Sequence, residues 1–193
     1  MKPVVAVIHG SPRKNSNSDA LAEAFLKPLR ALGCEIGEVR AGQVDIHPCI
    51  GCDACGKTGN CIFRDGMLSV EELLNRADWV VLVSPVYFNS LPGPLKTLID
   101  RCQVYYARRF VLKLPTGSDT RKGFLLLSAG IAQTHDTLCG SWRVADYFYK
   151  AQNIGFEGTL CLDRTDACDT NHRDSVLSQA TQWAQKMLDE FCV

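Results

Sequence analysis

Two runs of the chain, residues 4–8 and 78–83, are apolar at almost every position. Side chains of a β-strand point alternately to the two faces of its sheet, so a strand with hardly any polar position must be covered on both. Few folds meet that demand. A third run at residues 123–128 and two weaker ones, 34–39 and 154–162, repeat the signal. Between them the apolar residues recur with helical period. Residues 66–77 turn Met67, Val70, Leu73 and Leu74 inward, and residues 93–102 do the same with Leu95, Leu98, Ile99 and Cys102. Residues 141–152 are expected to be helical. Residues 171–190 carry a long stripe of Val176, Leu177, Ala180, Trp183, Ala184, Met187 and Leu188, continued by Phe191. The first helix has Leu21, Ala24, Phe25, Leu29 and Leu32 on one face, Ser18 or Asp19 as its cap and Gly33 as its stop. Pro28 falls inside it and is expected to kink or split it.

Five strands alternating with helices imply a parallel sheet with helices on both faces. The expected architecture is an α/β, flavodoxin-like three-layer sandwich with strand order 2-1-3-4-5, as a single domain over residues 1–193. A cysteine-rich loop, about residues 46–64, is inserted after the second strand. In such sheets ligands bind beyond the C-terminal strand ends. Here those ends lead into residues 10–18, 84–92 and 128–140. The 21 basic and 21 acidic residues cancel, and no basic stripe or acidic tail is present, so nucleic acid is not an expected partner. No stretch approaches the ~18 apolar residues of a membrane span. The run at residues 4–8 is too short for a secretory leader's core and lacks its cleavage pattern. The expected location is the cytoplasm, where the 10 cysteines stay reduced and serve as free thiols or metal ligands.

Two loops carry the chemistry. Residues 10–18, between the first strand and a helix, are dense in hydroxyls, amides and the cations Arg13 and Lys14. A phosphate there can take backbone N–H bonds from the helix start, hydroxyl bonds and an Arg contact. Neither the nucleotide triphosphate loop nor the dinucleotide glycine fingerprint is present. The second loop spaces Cys49, Cys52, Cys55 and Cys61 as C-x2-C-x2-C-x5-C. Four thiolates on so short a segment suit an iron–sulfur cluster, and a single 4Fe–4S cluster fits better than the ferredoxin run, whose fourth cysteine serves another cluster. Zinc also takes four thiolates, usually from two separated knuckles. A metal-free loop, structural or redox-active through its thiols, is the third possibility.

The two loops, with Ser84-Pro85-Val86-Tyr87-Phe88, Pro92-Gly93-Pro94-Leu95-Lys96 and Ile99-Asp100-Arg101, resemble the NADPH-dependent FMN reductase and iron–sulfur flavoprotein group over residues 4–130. The resemblance implies FMN as cofactor. It places the phosphate on Ser11, Arg13, Ser16, Asn17 and Ser18. The ring and ribityl chain fall against Pro85, Val86, Tyr87, Phe88 and Asn89, and more loosely against Ser128, Ala129 and Gly130. It also implies a 4Fe–4S cluster on Cys49, Cys52, Cys55 and Cys61, and a homodimer or homotetramer.

The expected function is thus an FMN-dependent oxidoreductase passing electrons between flavin, cluster and an external partner. NAD(P)H or ferredoxin is the expected donor, with a small-molecule or protein acceptor. A metal-free NAD(P)H-dependent FMN or quinone reductase, a carrier without its own substrate and a flavin-binding redox regulator remain open beside it. No catalytic acid or base is expected, because the cofactor carries the chemistry. His9 could face the site, His47 could bond near a cluster, and His135 could approach a substrate, although structural roles suit all three. Arg101, Arg108 and Arg109 could bind a nicotinamide phosphate or pair at a subunit contact. Residues 103–122 could be a lid or such a contact. Of Cys34, Cys102, Cys139, Cys161, Cys168 and Cys192 most read as core, and Cys139 lies nearest the flavin end.

Overall fold

The computed structural model describes residues 2–115 and 117–191. Strands β1 (Val4–His9), β2 (Glu35–Arg40), β3 (Trp79–Pro85), β4 (Lys122–Ser128) and β5 (Gly155–Leu162) form one parallel sheet. Their order, β2-β1-β3-β4-β5, is the flavodoxin-like order expected from the sequence. The helices are α1 (Asn17–Leu32), α2 (Ala54–Thr58), α3 (Met67–Arg76), α4 (Gly93–Arg101), α5 (Gln103–Tyr106), α6 (His135–Ala151) and α7 (Thr170–Phe191). None of them is long and apolar enough to cross a membrane.

The central strands divide their apolar residues between two cores. Val5, Val7, Val81, Val83, Phe124 and Leu126 face α1 and α7, where Leu21, Phe25, Leu26, Ala180, Ala184 and Leu188 close over them. Ala6, Ile8, Val80, Leu82, Leu125 and Leu127 face α3, α4 and α6, through Met67, Leu74, Leu95, Leu98 and Tyr149. Each such side chain contributes about 1.5–3 kcal/mol on burial. Trp183 and Phe191 pack at the margin of the first core, with Trp183 edge-on to Phe25 at 5.7 Å between centroids.

Helix starts differ from expectation in an instructive way. The α1 cap is Ser16, not Ser18 or Asp19: its hydroxyl accepts from the Asp19 amide, while the Asp19 carboxylate accepts from the Ser16 amide. This reciprocal box satisfies two first-turn donors. A second box, Thr134 with Thr137, starts α6 at His135 rather than at residue 141, so the loop after β4 is shorter than expected. Gly33 ends α1 in the left-handed conformation, φ 72°, where glycine carries no Cβ penalty.

Pro28 does not split α1 into two helices. It sits buried in one continuous helix. A proline cannot donate to the carbonyl four residues back, here that of Ala24. The hydroxyl of Thr181 on α7 donates to that carbonyl instead, at 2.9 Å. The helix–helix contact thus supplies the bond that the proline removes.

Within residues 103–122, Gln103–Tyr106 are α5, continued as one wider π-type turn over Ala107–Val111, and Lys122 begins β4. Thr116 and Cys192 lie outside the described residues.

The proline and the threonine should behave as a coupled pair. Thr181→Val is expected to cost about 1–3 kcal/mol, because it leaves a part-buried acceptor without a donor. In a Pro28→Ala background the restored amide takes the carbonyl, and the same change should cost less than half as much. Urea denaturation midpoints of the four proteins of this double-mutant cycle test it.

Candidate functional site

The C-terminal strand ends carry a cavity of about 420 Å³. The loop after β1 supplies Ser11, Arg13, Ser16, Asn17 and Ser18. The loop after β3 supplies Pro85, Val86 and Tyr87, and that after β4 supplies Ser128, Ala129 and Gly130. These are residues singled out in the sequence. Lys14 and Asn15 join them from the first loop.

Local geometry presents polar groups at this cavity. Ser11 closes a turn on Arg13, its hydroxyl within 3.2 Å of the Arg13 amide and carbonyl. The hydroxyls of Ser16 and Ser18 bond each other at 2.9 Å. Asn15, φ 56°, turns the chain into α1. The first N–H groups of a helix have no helical acceptor, so they remain available to an anion. From α7, Arg173 donates to the Asn17 side chain at 2.6 Å. The Val86 amide donates to the Ser128 carbonyl, which ties the second and third loops together.

A fourth loop, after β5, was not singled out in the sequence. Thr165 and Asp166 line the same cavity, and their amides donate to the Ala129 and Gly130 carbonyls at 3.1 Å. The signal was available: β5 neighbours β4, so its C-terminal loop opens on the same edge.

Phe88 and Asn89 do not line the cavity. They form the tip of a two-residue turn in which Tyr87 and Ser90 exchange backbone hydrogen bonds, both tip residues having positive φ. Left-handed backbone at a phenylalanine costs roughly 1–2 kcal/mol. The turn leaves the Phe88 side chain fully exposed and that of Tyr87 half exposed.

His9 does not face the cavity. It is buried below the first loop, its ring nitrogens 3.0 Å from Asp19 and 2.9 Å from Glu38. Arg40 also reaches Asp19, at 3.2 Å. Burial alone would raise the Asp19 carboxyl, but the Ser16 amide and Arg40 outweigh it and hold it below the ordinary aspartate range. The network is structural: it fixes the carboxylate that caps α1.

The cysteine loop makes a second cavity, of about 430 Å³, lined by Cys49, Cys52, Cys55 and Cys61 together with Phe63 and Arg101. Left-handed backbone at Gly51, Asp53 and Gly59 folds the segment back on itself. Burial pushes the Cys55 thiol up, and a charge on Cys49 acts in the same direction. Among the described residues no three or more His, Cys, Asp or Glu side chains converge tightly enough to hold one metal ion.

One buried group fastens this loop to the domain. Arg101, at the end of α4, donates to both Asp65 oxygens, at 2.6 and 3.2 Å, and to the His47 carbonyl at 2.8 Å. Its guanidinium lies over the Phe63 ring, which stacks on His47. Burial works to raise the Asp65 carboxyl, but Arg101 and the amides of His47 and Met67 hold it at about 2. From the π-type turn Arg108 donates to the Gly59 carbonyl at 2.7 Å, and Arg109 donates to the Lys150 carbonyl. All three arginines are therefore engaged within the chain, and residues 103–111 buttress the cysteine loop.

The other candidates fall elsewhere. His135 begins α6 with its side chain in solvent. Cys102 is buried, Cys34 and Cys161 are partly buried against the cores, and Cys168 is exposed rather than core. The Cys139 sulfur accepts from Arg143 at 3.2 Å and does not line either cavity.

A parallel sheet in this order, with a polar loop and a cavity at its C-terminal strand ends, defines a flavodoxin-like protein. Residues 3–134 match the family model of NADPH-dependent FMN reductase, and the chain belongs to that family. It is 34% identical over 129 residues to an iron–sulfur flavoprotein of Archaeoglobus fulgidus, covering 67% of this chain and 56% of that protein. An iron–sulfur flavoprotein of Methanosarcina thermophila is 32% identical over 111 residues, 58% of each chain. The chain thus spans little more than half the length of these relatives. Among solved structures, the FMN-dependent NADH-azoreductase of Bacillus anthracis in complex with FMN superposes with a TM-score of 0.76 at 15% identity, covering 96% of this chain and 99% of that one. At that identity the likeness is one of fold.

The Asp65 carboxyl gives acid stability a defined window. Its folded value of about 2 lies below the ordinary 3.8, so its contribution is complete above pH 4 and is lost as pH falls through 2. The expected loss is about 2 kcal/mol. Asp65→Asn should be less stable at neutral pH and should lack this part of the acid dependence. Urea unfolding of the metal-free protein between pH 5 and pH 2 measures both.

Proposed function

We propose that this chain is an FMN-dependent oxidoreductase of the iron–sulfur flavoprotein type. FMN would occupy the cavity at the strand ends, and a 4Fe–4S cluster would occupy the cysteine cavity on Cys49, Cys52, Cys55 and Cys61. The observation that carries the reading is that one loop turns four cysteines onto a single cavity, lined also by a buried guanidinium with an unpartnered N–H. A cavity of about 430 Å³ is far larger than one ion with bonds of ~2.3 Å to sulfur requires.

The residues present suit both groups. At the strand ends the start of α1 offers free N–H groups, the hydroxyls of Ser11, Ser16 and Ser18, and Arg13 to a phosphate. Arg173 holds Asn17 in that array. Pro85, Val86 and Tyr87 present apolar and aromatic surface to a flat ring, with the exposed Phe88 turn beside it. Ser128, Ala129 and Gly130 close the other side. Thr165 and Asp166, which line the same cavity, would bond ribityl hydroxyls. When bound, FMN supplies hydride and single-electron transfer, and a cluster supplies single-electron transfer. NAD(P)H or ferredoxin is proposed as donor, with a quinone-like small molecule or a protein as acceptor. Exposed Tyr106, Phe110, Trp142 and Tyr147 support a homo-oligomer. The thiols of Cys49, Cys52, Cys55 and Cys61 suit a reducing, cytoplasmic setting.

Iron and FMN per chain, with an absorption spectrum of anaerobically purified protein, test the reading. About four irons and a broad visible band beneath the flavin peaks are expected. Cys61→Ser should lose the iron and keep the flavin. Flavin without iron, after reconstitution with iron and sulfide, would leave a metal-free NAD(P)H-dependent FMN or quinone reductase. Zinc in its place would appear in the same metal analysis.

The phosphate assignment has its own test. Ser16→Ala is expected to weaken FMN binding about tenfold, roughly 1.4 kcal/mol, and to leave riboflavin binding unchanged. Fluorescence titration of the apoprotein with each ligand measures the difference.

A further inference from the structure

The ion pair that holds the cysteine loop is saturated on one side only. Asp65 accepts from Arg101 at both oxygens, and also from the His47 amide at 2.9 Å and the Met67 amide at 3.1 Å. A carboxylate has about four acceptor positions, and these are all taken. A guanidinium has five N–H donors. Arg101 uses one nitrogen on the His47 carbonyl and Asp65, and the other terminal nitrogen on Asp65. The Nε of Arg101 is buried and has no partner. The Arg101 side chain is 1% exposed. A pair that served only to fasten a loop would be satisfied at both ends, because an unmatched buried donor is costly.

Arg101 lines the cysteine cavity, and Cys61 lines it too. The Cys61 sulfur is thus an acceptor on the wall that Arg101 shares. A cluster with four thiolate ligands is an anion in both redox states and gains one more negative charge on reduction. Hydrogen bonds to its sulfurs, net charge and solvent exposure set its potential.

We propose that Arg101 is a positioning residue of the cysteine cavity, which presents a desolvated positive charge and a free N–H to the Cys61 side of a bound cluster and thereby favours the reduced state. The proposal rests on the cluster reading above. It assigns the buried pair an electrostatic role in addition to its hold on the loop. Asp65 has the opposite effect on the charge, since it cancels part of the guanidinium field while fixing its direction.

The two partners therefore predict shifts of opposite sign, which an anchoring role alone would not produce. The intact chain is purified anaerobically as wild type, Arg101→Gln, Arg101→Lys and Asp65→Asn. Iron per chain is counted, and the midpoint of one-electron reduction by dithionite is followed through the EPR signal of the reduced cluster. Arg101→Gln is expected to lower the midpoint by at least 59 mV, a tenfold fall in the reduced-to-oxidised ratio at fixed potential. Asp65→Asn, which leaves the guanidinium uncancelled, should raise it. Arg101→Lys, which keeps the charge without the fork, should fall between wild type and Arg101→Gln. Shifts of one sign, unchanged midpoints, or iron loss from Arg101→Lys and Asp65→Asn alike would overturn the proposal and leave a loop anchor. If Arg101→Gln does not fold, Arg101→Lys below wild type and Asp65→Asn above it carry the same test. Wild-type protein that takes up no iron would instead overturn the cluster reading and this proposal with it.

Discussion

A parallel sheet whose middle strands have hardly any polar position cannot tolerate a wet face, and everything else in this molecule is arranged around that constraint. Both faces must be roofed by helices, so each strand is followed by a crossover. The crossovers leave the C-terminal strand ends as the one edge where several loops meet. Four of them do, after β1, β3, β4 and β5, and they enclose the polar cavity. The same constraint explains why a proline is tolerated inside α1. That helix is pressed so closely on α7 that Thr181 reaches the Ala24 carbonyl.

The cysteine loop obeys a different rule. It lies outside the sheet and has little apolar surface of its own to bury. Its position depends on polar contacts made in low dielectric, where a carboxylate and a guanidinium are worth holding only if most of their hydrogen bonds are met. Asp65 meets that condition fully, whereas the Nε of Arg101 has no partner. Arg108 on the Gly59 carbonyl adds a second fastening from the π-type turn. The loop is thus carried by α4 and the π-type turn, not by the sheet, and its four cysteines share a wall with the residue that anchors it.

Much of the fold was legible because burial and local periodicity are the same information. The stripes of α3 and α7 reappear as the residues that pack into the two cores. Helix starts were less legible, since Ser16, Ser18 and Asp19 are all good caps and only the reciprocal bonds of the finished turn select Ser16. The site was legible where a motif lay on one loop. Thr165 and Asp166 were not, because no motif marks the loop after β5 and their place depends on backbone bonds to Ala129 and Gly130. Phe88 was expected against the flavin ring; it lies exposed on a turn and does not line the cavity.

By itself the sequence determined the alternation of strands and helices, the presence of a polar loop after the first strand and the spacing of four cysteines. These are properties of short segments, set by side-chain period and by residues a few positions apart. The tertiary structure alone decided which distant groups complete them: Arg173 on Asn17, separated by 156 positions, Thr181 on Ala24, separated by 157, and Arg101 on Asp65, separated by 36. Such pairings form only after the sheet has brought its loops and helices together, so no local pattern can announce them. The charge and the free donor at the cysteine cavity are of this kind, since both depend on a contact between two segments that the chain keeps apart.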